Sequence, residues 1–116
     1  MTILNRSAIL GVVDLKTVDV DVPEWGGTVR LQSLTGAQRD AYSRSMIGAD
    51  NKPVYDNYAA KLIAVSVVDE TGALCFTLDD VEALAAKSAA PIQRLYEAAS
   101  KLNGMTNGAL EAAEGN

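Results

Sequence analysis

Two runs of strict alternation, separated by a proline and a pair of glycines, constrain this chain more than any other feature. Val18, Val20 and Val22 alternate with Asp19 and Asp21, and Thr28-Val-Arg-Leu-Gln32 resumes the pattern with Val29 and Leu31 on one side and Arg30 on the other. A period of two places one set of side chains on a buried face and the other in water. Between the runs lies Pro23-Glu-Trp-Gly-Gly27. Proline cannot donate to a ladder and glycine tolerates positive φ, so this segment reads as a turn. The spacing predicts an antiparallel hairpin over about 17–32, with Arg30 able to reach Asp19 or Asp21 across the wet face.

After the hairpin the apolar spacing becomes helical. Thr35-Gly-Ala-Gln38 has the pattern of a capping box and opens a helix over about 36–47. A polar linker ends in Pro53, Asp56 is placed to cap a second helix over about 56–68, and Tyr58, Ala59, Leu62, Ile63, Val65 and Ser66 give it a broad apolar stripe. Its valines favour strand locally, which leaves its end open. Asp69-Glu-Thr-Gly72 reads as a turn, and Ala73-Leu-Cys-Phe76 as a short extended run, a candidate third strand. Thr77-Leu-Asp-Asp80 opens a helix over about 78–88. Pro91 suits the first turn of another over about 91–103, which Asn103-Gly104 stops, and Thr106 is placed to cap a last one over about 107–113. Near the N-terminus, Ser7 to Gly11 reads as one helical turn with Ser7 capping. The expected architecture is α+β: an N-terminal antiparallel hairpin packed on a mostly helical bundle of four to five helices, in one domain spanning 1–116.

Several chemistries are excluded by what is missing. The chain has no histidine, which removes the usual general base and the commonest zinc ligand. Its one cysteine, Cys75, cannot form an intrachain disulfide, sits in an apolar run and reads as a small buried hydrophobe. A formal net charge of −5 opposes nucleic-acid binding, which draws on clustered Lys and Arg. The apolar run Leu62 to Val68 is far short of a membrane span, and the opening residues lack a secretory pattern, so the expected compartment is the cytoplasm. The sequon Asn5-Arg6-Ser7 is then a chance match.

The acids Asp79, Asp80 and Glu82 complement the dipole at a helix start and lack the ligand spacing of a calcium loop. Asp19 and Asp21 read as the solvated face of a strand, and no phosphate-loop or Ser-x-x-Lys pattern occurs. No catalytic, cofactor or metal site is expected. Trp25, the one tryptophan, stands at the hairpin tip, where it either folds back to close the core, as its Pro and Gly flanks favour, or projects as a binding anchor. The same alternatives apply to the tyrosines; Trp25, Tyr42 and Tyr96 are the candidate protein-binding residues.

The segment Val20-Asp-Val-Pro-Glu-Trp-Gly-Gly-Thr-Val29, followed by Leu34-Thr-Gly-Ala-Gln-Arg-Asp-Ala-Tyr42, resembles the tail assembly chaperones of long-tailed bacteriophages. The likeness extends to Ala8-Ile9-Leu10 and to Leu102-Asn-Gly-Met-Thr106, while the stretch from Ile47 to Ala90 is generic. It implies a non-catalytic assembly factor, without cofactor, that binds the tape measure protein in the host cytoplasm, keeps it soluble and is absent from the finished virion. It also implies a longer form made by a frameshift near the acidic tail Glu111-Ala-Ala-Glu-Gly-Asn116, through which the major tail protein becomes a second partner. Self-association along an extended client is expected from avidity. The resemblance carries no residue-level binding motif. A permanent tail component, such as a completion or connector protein, is the alternative function.

Overall fold

The alternating runs form strands, and their register follows from which side chains must be dry. In a computed structural model, which describes residues 2–105, β1 (Thr17–Val22) and β2 (Gly27–Gln32) pair antiparallel, Val20 opposite Val29 and Asp19 opposite Arg30. Val22 and Leu31 are fully enclosed on the inner face. On the outer face the Arg30 guanidinium donates to both Asp19 carboxylate oxygens, at 2.8 and 3.1 Å. The tip is a single 3-10 turn, Pro23–Trp25, closed by Gly26 at φ 76°, whose N–H returns to the Pro23 carbonyl. The positive φ explains the glycine there.

Among the described residues five α-helices accompany the sheet: α1 (Arg6–Gly11), α2 (Gly36–Ser45), α3 (Tyr58–Ser66), α4 (Val81–Ala85) and α5 (Ala89–Leu102). Helix α2 starts at the Thr35 capping box: the Thr35 hydroxyl accepts from Gln38 N–H, and Thr35 N–H donates to the Gln38 side chain. Its far end is held by Lys61, whose ammonium donates to the Ser45 carbonyl at 2.7 Å. A cation there also complements the helix dipole. Helix α3 is the centre of the core. Ala60, Leu62, Ile63, Ala64, Val65 and Ser66 are all buried, because α2, α4, α5 and β2 pack around it. Buried Ser66 is satisfied by donating to the Leu62 carbonyl at 2.7 Å. Helix α5 turns Leu95, Tyr96 and Ala99 inward and ends where Gly104, at φ 70°, allows Gly104 N–H and Met105 N–H to reach the Lys101 and Ser100 carbonyls.

Some boundaries and caps differ from the sequence expectation. The helix expected over 36–47 stops at Ser45, tightened by Met46 N–H and Ile47 N–H donating back only three residues. The one expected over 56–68 starts at Tyr58; Asn57, in the left-handed region at φ 57°, stands at its start, and Asp56 does not cap it. At its other end Val67–Val68 leave the helix as strand β3, since Arg30 and Leu31 of β2 offer a ladder that suits β-branched side chains. Among the described residues the sheet therefore has three strands in the order β1-β2-β3. The run Ala73 to Phe76, expected as the third strand, contributes a single bridge from Leu74 to Val68. The helix expected over 78–88 is a 3-10 turn, Leu78–Asp80, followed by the short α4. That expected over 91–103 begins at Ala89, with Pro91 in its first turn. Asn5, not Ser7, caps α1, its Oδ1 accepting from Ala8 N–H at 3.0 Å. Thr106 and the helix expected over 107–113 lie outside the described residues.

Candidate protein-binding surfaces

The hairpin tip is fixed to the bundle by an ion pair that joins residues far apart in sequence. Arg94 of α5 donates twice to the Glu24 carboxylate, both at 2.8 Å, and this pairing holds the carboxyl down at about 2. Trp25 follows directly. It is 38% exposed and lines a cleft of about 470 Å³ together with Phe76 and with Val29, Val67 and Val68 from the sheet. Asp19, Asp69 and Glu70 against Arg30 give the rim an acidic balance. The wall beyond β3 is shaped by the Asp69 turn: its Oδ1 accepts from Thr71 N–H, the Thr71 hydroxyl and Ala73 N–H, which lowers its pKa, and Gly72 closes the turn at φ 88°.

Cys75 borders the same cleft and is exposed, where the sequence reading made it a buried hydrophobe. The run that carries it is held to the sheet by one bridge, made of Asp69 N–H donating to the Ala73 carbonyl and Cys75 N–H donating to the Val67 carbonyl, so its side chains are not sandwiched. Partial desolvation, with the Asp69 carboxylate nearby, pushes its thiol up, which disfavours the thiolate a nucleophile needs.

Of the three candidate binding residues, Trp25 alone is placed to touch a partner. Tyr42 and Tyr96 are buried, and neither lines the cleft. Tyr96 meets Tyr58 edge to face, ring centroids 5.1 Å apart at 86°. Tyr42 lies near both, and burial raises its phenol to about 12. As exposed anchors these two tyrosines are corrected: α2 and α5 dock on α3 through the faces that carry them, so their rings serve the core.

The sequence reading missed the N-terminal arm. Helix α1 buries none of its residues, and Ile3, Leu4, Ile9, Leu10, Val12 and Val13 are all exposed. The available signal was an aliphatic-rich opening with no capped helix or strand long enough to bury it. Asp80 accepts from Thr77 N–H at 2.9 Å and Asp21 accepts from the Thr28 hydroxyl at 3.0 Å, so both carboxylates have local structural partners. No described helix is long and apolar enough to cross a membrane.

No protein-family model and no curated protein sequence matches the chain. Among solved structures, that of the bacteriophage HK97 tail assembly chaperone superposes with a TM-score of 0.58 at 21% sequence identity, covering 76% of this chain and 85% of the other. The chain has the fold of a phage tail assembly chaperone. At this identity the likeness is one of fold and carries over no individual surface residue. Among the described residues, exposed apolar surface includes the Trp25 cleft and the arm, besides Ile47 and Tyr55.

Proposed function

We propose that this chain is a non-catalytic chaperone of bacteriophage tail assembly, binding the tape measure protein and keeping its long hydrophobic helices soluble until they are assembled. The observation that carries this reading is the fold shared with the HK97 tail assembly chaperone over most of both chains. The chemistry of the surface supports it. A formal net charge of −5 favours solubility, while the Trp25 cleft and the aliphatic arm offer apolar area to a client. Copies arrayed along one elongated client gain by avidity, so the chaperone self-associates on it. A frameshifted longer form extends the reach to the major tail protein. The work is done in the host cytoplasm, and the chaperone leaves before the virion is complete.

Co-expression with the tape measure protein of the same phage tests this. The soluble fraction of the client should rise, and the two should elute together on a sizing column. A client equally insoluble with and without this chain, with no joint peak, overturns the proposal. Finding the chain as a stoichiometric component of purified virions by mass spectrometry replaces it with a permanent tail component.

A further inference from the structure

The Trp25 cleft is an apolar trough whose charged rim is weighted to one sign. Trp25 and the half-buried Phe76 add aromatic rings to an aliphatic lining that includes Val29, Ile63 and Val67. Four charged side chains line it as well, the acids Asp19, Asp69 and Glu70 and the cation Arg30. Arg30 is already engaged by Asp19, to which it donates at 2.8 and 3.1 Å, so the charge left over is negative. Asp69 uses its Oδ1 to hold the turn that follows β3. Glu70 is exposed and forms no ion pair among the described residues. A cation entering the trough therefore meets an unpaired carboxylate and aromatic rings, both of which attract it, whereas an anion is repelled.

The form of the occupant follows from the backbone around the trough. The register that sets Val67 opposite Leu31 and Val68 opposite Arg30 carries Asp69 to the place beside Val29, so the strand edge bordering the trough is already flanked. An extended segment finds no row of free main-chain groups there, and an occupant must satisfy its own backbone. An α-helix does so within itself and presents apolar side chains at i, i+3 and i+4, the spacing that anchors helices in grooves. A cleft of about 470 Å³ takes the side chains of one such face and not a globular surface.

We infer that the Trp25 cleft receives an amphipathic helix of a partner, its apolar side chains against Trp25 and Phe76 and a Lys or Arg, three or four residues from them, paired with Glu70. This rests on the function proposed above, which names the partner: the helix belongs to the tape measure protein. A helix with an acid in place of that cation is turned away, so the cleft selects among the client's apolar segments by charge.

The test uses the full chain, isotopically labelled and titrated with overlapping synthetic peptides that tile the tape measure protein of the same phage. Nuclear magnetic resonance of the backbone and indole N–H groups gives both the site and the affinity. Peptides that carry a cation beside an apolar helical stripe should shift the Trp25 indole N–H together with the Glu70 and Phe76 N–H groups. Glu70→Lys, at an exposed position, should keep the rest of its spectrum yet weaken that binding by about three- to tenfold, the effect of turning one exposed ion pair into a repulsion. Reversing the peptide's cation to Glu should weaken binding to the parent and restore it to Glu70→Lys. Peptides that bind away from the cleft, or whose affinity ignores both charge reversals, overturn the inference, while a soluble joint peak with the whole client leaves the chaperone function standing. A client kept soluble when none of its peptides binds overturns it in the same way. Where no joint peak forms with the whole client either, function and inference fall together. Shifts at the cleft that grow with the chain's own concentration, without peptide, also overturn the inference by assigning the cleft to a second copy.

Discussion

Truncating the same side chain in the core and on the arm separates surface that builds the fold from surface that waits for a partner. Leu95 is fully enclosed on α5, which packs on α3 and the sheet, while Leu10 on α1 is 67% exposed. Leu95→Ala removes about 2.4 kcal/mol of transfer free energy, at roughly 0.8 kcal/mol per buried carbon. The void left behind adds about 1–2 kcal/mol where helices pinned on three sides cannot close on it. The expected loss is about 3–4 kcal/mol, a large share of the roughly 5–15 kcal/mol that a domain of this size has. At about 4–5 °C per kcal/mol the melting temperature should fall by about 12–20 °C. Leu10→Ala, measured at a dilution where the protein is monomeric, should stay within about 0.5 kcal/mol of the parent. Urea unfolding followed by circular dichroism gives both values, with an unchanged denaturant slope showing that the same surface is exposed on unfolding. A loss at Leu95 below about 1 kcal/mol, or a comparable loss at Leu10 in the monomer, refutes the assignment of core and arm.

Stability should depend on acid through the hairpin clamp. The Glu24 carboxyl is lowered from 4.5 to about 2 by Arg94, so its contribution is complete above pH 4.5 and disappears as the pH falls toward 2. Asp19 and Asp69 are lowered as well and act in the same direction. Urea midpoints taken across that range should therefore fall with pH, and less steeply in Glu24→Gln; equal slopes in the two proteins would disprove the clamp. Ser100 tests a buried polar atom, because its hydroxyl has no hydrogen-bond partner among the described residues. Ser100→Ala should be neutral or stabilising by up to about 1 kcal/mol, and a loss of that size by urea unfolding would mean that the hydroxyl is satisfied in solution.

Legibility in the sequence tracked the range of the forces involved. The hairpin with its Asp19–Arg30 pair, the Thr35 capping box and the Gly104 stop depend on side-chain alternation and on hydrogen bonds a few residues long, so local spacing carries them. The candidate site was less legible. Trp25 stands out because a lone tryptophan beside a turn has few places to go, but Glu24–Arg94, which fixes that turn, joins positions separated by most of the chain.

Local pattern by itself determined the α+β class and the hairpin, since alternation, proline and paired glycines admit few other arrangements. Tertiary structure alone decided whether a given apolar residue became core or surface. Tyr42 and Tyr96 disappear because α2 and α5 meet α3 through those faces, Val67-Val68 become strand because β2 has a free edge at Arg30 and Leu31, and the arm stays open because no residue of α1 is buried in the described fold. Hydrophobicity states that a side chain gains by leaving water; only the geometry of the neighbours determines which ones can.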